Sequence, residues 1–260
     1  MRHVPLVLLH GFTGALASYD AVLAKLRTYR SERTFTPYLL GYGSSWAFSP
    51  VEPAAPDFAR EVDALAEQLR GFGIGPDNPC TVVGYSLGAR LALGLLVARR
   101  TWFNDAVLVG VNPGLADAGA RTTRRSEDEA RAVKLETRGL AAFLSAWQAM
   151  PLFESQRALP SAVLDAQHQL RQTHTAAGLA YSLRHTGLGV MPDYVPRLVE
   201  IRARLHLVVG EHDAKFRLIA EQMRRVVPKA ELAVVPGVGH NVPLEAPTAL
   251  AALLDALPED

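Results

Sequence analysis

The chain has 260 residues, 49% of them hydrophobic and 20% charged, with 27 Lys and Arg against 26 Asp and Glu. That much apolar material can offset the entropy of ordering, which excludes a mainly disordered chain. The near-zero net charge lacks the basic excess of a typical nucleic-acid binder.

Residues 4–9 are apolar throughout rather than alternating, as in a strand of a parallel sheet covered on both faces. His10-Gly11-Phe12-Thr13-Gly14 ends it, and residues 19–26 have helical spacing. Residues 34–40 read as a second strand, closed by Gly41-Tyr42-Gly43-Ser44-Ser45, and residues 50–56, with three prolines, read as loop. Residues 57–69 predict a helix that places Phe58, Val62, Leu65 and Leu69 on one face. A strand at 80–83, a sharp turn at 84–88, an apolar helix at 89–98 and a strand at 106–111 follow. The first 111 residues therefore read as β-α-β-α-β-α-β, a parallel sheet flanked by helices.

No strand-like run occurs from 112 to 200, where charged and helical segments predict a helical insertion, with helices at 140–147 and 159–183. Alternation resumes with a strand at 205–209, a helix at 217–226, a strand at 231–235 and a helix at 248–257. The expected division is a core of 1–111 and 201–260 carrying a cap of 112–200. Cys80, the one cysteine, permits neither an intrachain disulfide nor a cysteine metal cluster, and its place at a strand start reads as packing. No secretory leader is expected, because the apolar run at 4–9 is short and meets His10-Gly11. Nor does any stretch reach the roughly 18 apolar residues of a membrane span. The expected compartment is the cytoplasm.

Gly84-Tyr85-Ser86-Leu87-Gly88 matches a nucleophile elbow, a serine on a tight turn between an apolar strand and an apolar helix. Side chains at the flanking glycines would clash in so tight a turn. The loop after the first strand lies beside such an elbow, so the amides of Phe12 and Leu87 can form an oxyanion hole. His10 reads as a structural hydrogen-bonder. Asp213, after the strand at 205–209, is placed to orient a histidine; Glu211 is the other candidate, nearer the strand end, and His212 reads as a surface neighbour. His240 follows the last strand on a glycine loop, Gly237-Val238-Gly239. Ser86, Asp213 and His240 occur in the chain order of the α/β-hydrolase triad. A phosphate-binding loop at 84–88 fails for want of a following Lys-Ser/Thr, and no H-x-x-x-H pair suggests a metal.

The sequence resembles the α/β-hydrolase superfamily and, within it, the menaquinone-pathway 2-succinyl-6-hydroxy-2,4-cyclohexadiene-1-carboxylate synthases. The narrower marks begin with Gly84-Tyr85-Ser86-Leu87-Gly88-Ala89-Arg90, Asn112-Pro113-Gly114-Leu115, and Arg121 with Arg124. Phe143-Leu144-x-x-Trp147-x-x-x-Pro151-Leu152-Phe153 and Leu170-Arg171 follow. Gly210-Glu211-x-Asp213-x-Lys215-Phe216 and Gly239-His240-Asn241-x-x-Leu244-Glu245-x-Pro247 complete them.

The resemblance implies an α/β-hydrolase fold, a mostly parallel sheet flanked by helices with a helical cap insertion. It also implies a lyase that eliminates pyruvate without a cofactor or metal. The triad would act as a base, with Tyr85, Arg90, Arg124, Trp147 and Arg171 binding a small polycarboxylate. No nucleic-acid partner or membrane insertion is implied. The alternative, with Ser86 as nucleophile, is hydrolysis of an ester or thioester of a small carboxylate-bearing substrate. Arg121 to Arg131 alternates with Glu127, Asp128 and Glu129, and a solvated helix face explains much of that pattern.

The sequence departs from the family pattern in several places. Tyr38-Leu39-Leu40-Gly41-Tyr42-Gly43 stands where Asp-Leu-x-Gly-His-Gly is usual, and Ala89 stands where a second glycine follows the elbow. Tyr19, Ala120 and Pro243 replace a frequent Trp, acidic residue and His.

Overall fold

A computed structural model describes residues 4–27, 32–43 and 57–258. Among these, six strands form one parallel sheet: β1 (Leu6–Leu9), β2 (Thr34–Phe35), β3 (Cys80–Tyr85), β4 (Phe103–Val109), β5 (Arg204–Gly210) and β6 (Glu231–Val235). Their spatial order is β2-β1-β3-β4-β5-β6. The helices are α1 (Asp20–Leu23), α2 (Phe58–Gly71), α3 (Leu87–Ala98), α4 (Ala118–Gln148), α5 (Ser161–Gln172), α6 (Ala176–Thr186), α7 (Ala214–Val226), α8 (Val242–Glu245) and α9 (Pro247–Asp255).

Pleating divides the apolar strand residues between two cores. Val7, Leu9, Val82, Leu108 and Leu207 pack with α2, α3 and α7. Leu6, Leu8, Val83, Val107 and Val208 face the other way, against Val22 of α1 and Leu250 and Leu254 of α9. Because both faces are covered, the strands are apolar at consecutive positions. The α2 face foreseen from spacing, Phe58, Val62, Leu65 and Leu69, is buried, and Asp57 caps that helix by accepting the N–H of Ala59 and of Arg60.

Between β4 and β5 the chain inserts α4, a 3-10 segment (Pro151–Ala158), α5 and α6. α4 starts at Asp117, whose side chain accepts the Ala120 N–H, and breaks at Gly139, where φ is 80°. That value is open to glycine and strained for other residues. α4 packs along α6.

Several elements differ from the sequence expectation. The helix expected at 140–147 is the last part of the 31-residue α4. β2 stops at Phe35, because Gln68 replaces a neighbouring strand for Tyr38: its side chain accepts the Tyr38 N–H and donates to the Tyr38 carbonyl, each at 2.9 Å. The helix expected at 19–26 begins earlier, as a 3-10 turn at Leu16–Tyr19, with Ser18 Oγ accepting the Ala15 N–H. The helix expected at 159–183 is two, because Thr175 caps a new one by accepting the Gly178 N–H. Ser44, Ser45 and the proline loop at 50–56 lie outside the described residues.

The C-terminal ends of β1, β3, β4, β5 and β6 lie at one edge of the sheet. Strand order reverses between β1 and β3, and ligands of open parallel sheets bind at such an edge and crevice.

Candidate active site

β3 runs through Tyr85 and α3 starts at Leu87, so Ser86 alone makes the turn, with φ 52° and ψ −105°. Such a backbone costs a non-glycine residue on the order of 1–3 kcal/mol. Neighbouring contacts hold it there: the Ser86 N–H donates to the Val109 carbonyl at 2.8 Å. A Cβ on Gly84 would lie 2.6 Å from the backbone of Ala89, and one on Gly88 would run into the Leu9 carbonyl. The elbow glycines are therefore needed for close approach.

His240 Nε2 lies 3.1 Å from Ser86 Oγ, and His240 Nδ1 lies 2.6 Å from Asp213 Oδ2. Both His240 and Asp213 are buried. The acceptor role of the carboxylate makes Nδ1 the donor, leaving Nε2 to receive the serine proton. Asp213 Oδ1 also accepts the Phe216 N–H, capping α7. Glu211 is turned elsewhere: its Oε2 accepts the Gly237 N–H at 2.8 Å. His212 is exposed.

Phe12 and Leu87 line the same cavity as Ser86. Neither N–H has an acceptor among the described residues, and Leu87, as the first residue of α3, has no intrahelical one. His10 is buried and its Nδ1 donates to the Gly11 carbonyl at 2.9 Å. Burial pushes the His10 imidazole down to about 4, so it is neutral at pH 7.

The cavity has a volume of about 860 Å³ and lies between the sheet edge and the inserted helices. Tyr85, Arg90, Arg124, Trp147 and Arg171 all line it. Arg171 is 5% exposed and has neither a carboxylate nor another hydrogen-bond acceptor among the described residues. Its guanidinium carbon lies 5.9 Å from the centroid of the Phe153 ring. Burial lowers its pKa, and the nearby Tyr85 hydroxyl works against that.

Arg90 uses one nitrogen to donate to the Thr186 carbonyl at 2.6 Å, the negative end of α6. Burial and then the neighbouring Arg124 push Arg90 down to about 10, against the pull of Asp128, so it remains charged at pH 7. Arg124 donates through Nε to both oxygens of Asp128, at 3.0 and 2.9 Å. Its two Nη groups have no acceptor among the described residues. Trp147 stacks with Phe143 at 5.8 Å and meets the Phe12 ring edge-on at 5.0 Å, while its buried Nε1–H has no acceptor among the described residues.

Five further cavity residues carry charge: Asp20, Glu127, Asp128, Arg131 and Lys215. The solvated-face reading of α4 is corrected at Asp128, which is 3% exposed and also accepts from Arg131 Nη1 at 2.9 Å. The signal was present, since Arg124, Asp128 and Arg131 recur at spacings of four and three, one helix face. The alternating charges hid it. Arg121 is not in the cavity; it donates to the Leu115 and Ala116 carbonyls.

Comparisons with known proteins agree with this architecture. A model of an alpha/beta hydrolase family matches residues 6–253. The 2-succinyl-6-hydroxy-2,4-cyclohexadiene-1-carboxylate synthase of Klebsiella pneumoniae subsp. pneumoniae is 32% identical over 253 residues, 96% of this chain and 91% of the relative. The protein of that name from Escherichia coli O7:K1 is 32% identical over 249 residues, with 96% and 91% covered. The structure of MenH from S. aureus superposes with a TM-score of 0.87 at 28% identity, covering 96% of this chain and 91% of that one. The chain thus belongs to the 2-succinyl-6-hydroxy-2,4-cyclohexadiene-1-carboxylate synthase family of the α/β hydrolases.

Proposed function

We propose that this protein is a carbon–oxygen lyase that eliminates pyruvate from 2-succinyl-5-enolpyruvyl-6-hydroxy-3-cyclohexene-1-carboxylate. The product is 2-succinyl-6-hydroxy-2,4-cyclohexadiene-1-carboxylate. The observation that carries the reading is Arg171, a buried guanidinium without an anion, on the wall of the cavity that holds Ser86. An unpaired buried charge costs several kcal/mol. A substrate carboxylate supplies the missing partner. Arg90 and Arg124 offer further unfilled donors, so three guanidinium groups meet a substrate with three carboxylates.

Substrate and product together define the bond changes. The C2–H bond breaks and C2=C3 forms; C3=C4 moves to C4=C5, and the C5–O bond to the enolpyruvyl group breaks. Ser86 gives its proton to His240 Nε2 and takes the C2 proton, while Asp213 orients and stabilises the imidazolium. C2 is adjacent to the succinyl carbonyl, so charge develops on that oxygen. The N–H groups of Phe12 and Leu87 are the donors for it. The proton held by His240 neutralises the departing enolpyruvate, which becomes pyruvate. No water is consumed, no acyl-serine forms and no net redox change occurs, so no cofactor is called for. Tyr85 and Trp147 border the substrate.

Residues 112–200 act as the cap that supplies Arg124, Trp147 and Arg171, and residues 1–111 with 201–260 as the core that supplies the triad. No helix among the described residues is long and apolar enough to cross a membrane. The polar, polycarboxylate substrate favours a cytoplasmic location.

The test is incubation with the enolpyruvyl substrate, following pyruvate release and the absorbance of the conjugated diene. Stoichiometric appearance of both, largely lost in Ser86→Ala, is expected. Rapid turnover of a carboxylate-bearing ester or thioester without pyruvate release would instead make the protein a serine hydrolase.

A further inference from the structure

His240 stands on a loop with little intrinsic rigidity. Gly237 has φ 71°, and Gly239 precedes the histidine directly. One side chain engages the backbone on both sides of His240. Glu245 Oε2 accepts the Gly239 N–H at 2.7 Å, and Glu245 Oε1 accepts the Asn241 N–H at 3.0 Å. The main chain of Glu245 completes the clasp by donating its own N–H to the Asn241 carbonyl at 2.8 Å. We infer that Glu245 is a positioning residue of the reaction, whose carboxylate holds the His240 imidazole in line between Asp213 and Ser86.

The chemistry suits a carboxylate and little else. Two N–H donors two residues apart, facing one point, need two acceptor oxygens on one rigid group. An ionised carboxylate presents both and makes charge-assisted bonds, about twice as strong as neutral ones. An amide of the same shape presents one acceptor and turns its NH2 toward the other N–H. Glu245 makes no hydrogen bond to Ser86 or to the cavity arginines among the described residues; its charge reaches the Tyr85 hydroxyl, but its hydrogen bonds go to the loop that carries His240.

The remaining contacts leave the loop no easy alternative path. From the cap, Ser155 presses on Gly239, where a Cβ would collide with the Ser155 hydroxyl oxygen. From the acid loop, the His212 N–H donates to the Val238 carbonyl at 2.9 Å, and Glu211 accepts from Gly237. Glu211 makes the same type of bond, but it is exposed and its contact lies three residues before His240. It is therefore the matched comparison for Glu245.

The inference rests on the Ser86–His240 pair acting in proton transfer, as in the proposed elimination. Three readouts test it on Glu245→Gln and Glu211→Gln: steady-state pyruvate release, the rate at which a small neutral fluorophosphonate labels Ser86, and the thermal melt. Labelling depends on Ser86–His240 alignment and does not involve the arginines. A misplaced catalytic group can cost about 100-fold, so Glu245→Gln should lower kcat by about 10- to 100-fold and slow labelling in parallel. Its KM should stay within about twofold, because the carboxylate-binding groups are untouched. Glu211→Gln should stay within about threefold of wild type in both rates, as for a surface substitution.

A folded Glu245→Gln enzyme with unchanged kcat and labelling overturns the inference. So does an equal loss in both variants, which would reflect loop stability in general, and so does a raised KM at unchanged kcat. Should Glu245→Gln melt below the assay temperature, Glu245→Asp makes the same test. It keeps the charge without the reach, and it should lose kcat and labelling while retaining KM. If the wild-type enzyme labels at Ser86 in a Glu245-dependent way yet releases no pyruvate, the lyase reading ends and the role of Glu245 stands.

Discussion

Arg171 and Arg124 occupy one cavity but differ in what each does for the protein alone. Arg171 has no acceptor among the described residues, whereas Arg124 supports Asp128, which is buried. Replacing Arg171 by Met should therefore leave the melting temperature unchanged or raise it, since a desolvated charge is removed. It should cost at least about 2 kcal/mol of transition-state binding, roughly a 30-fold loss in kcat/KM. A lower melting temperature with unchanged kcat/KM would make Arg171 a structural residue.

Arg124→Ala should show both losses, because Asp128 keeps only Arg131 as a hydrogen-bond partner among the described residues. A destabilisation of about 1–2 kcal/mol, read from urea midpoints, should accompany a raised KM. Stability equal to wild type would mean that the Arg124–Asp128 contact contributes nothing to the fold. At this scale the sequence was informative where chemistry is tied to a turn. Ser86, Asp213 and His240 each follow a strand, and the structure brings their side chains within hydrogen-bonding distance. It was less informative where a charge has two uses, as at Asp128, because a carboxylate among arginines on a helix looks the same whether it faces water or a cavity.

The starts of three strands, β4, β5 and β6, carry a polar network far from the site. Asp105, near the start of β4, accepts from Arg204 at 2.8 and 2.7 Å and from His206 Nε2 at 3.0 Å, and His206 Nδ1 lies 3.1 Å from Glu231. Burial opposes the charged His206, but the Asp105 hydrogen bond and charge, and then Glu231, outweigh it and raise its pKa above the ordinary 6.5. A raised folded pKa means that the stabilisation is fully present below about 6.5 and is lost as pH rises through the folded value. Unfolding free energy should therefore fall as pH is raised above about 6.5, and His206→Gln should flatten that dependence in denaturant titrations. A wild-type stability that rises over the same interval would contradict the arrangement.

Asp105 has the opposite sign. Burial would raise its pKa, but hydrogen bonds from Arg204 and His206, then their charges, lower it below 3.8. Its contribution is present above that value and fades as the pH falls through the lowered one. Asp105→Asn should cost about 2–3 kcal/mol, less than a fully buried pair because Arg204 is half-exposed. The kcat at pH 7 should be unchanged, because the network lies at the N-terminal ends of β4 and β5, opposite Ser86. Core strands and the α2 stripe were legible from apolar runs and spacing. The short β2 was not, because its end is decided by Gln68, a side chain thirty residues away from Tyr38.

Over the whole molecule, the parallel sheet supplies a rigid edge on which three loops present the serine, acid and histidine. The helices inserted after β4 close over that edge and contribute Arg124, Trp147 and Arg171 to the cavity. An elbow and triad of this kind serve ester hydrolysis equally well, so the inserted helices select the chemistry. Arg171, with no acceptor among the described residues, and the spare donors of Arg90 and Arg124 disfavour a neutral ester and favour a polyanion. In the proposed elimination Ser86, so placed, moves a proton and forms no bond to carbon. Intact-mass spectrometry of the enzyme, sampled through turnover of the enolpyruvyl substrate while pyruvate is counted, tests this most directly. The expected result is an unmodified mass at every time point with one pyruvate released per diene formed. A mass increase on Ser86 that rises and decays at the catalytic rate would contradict it.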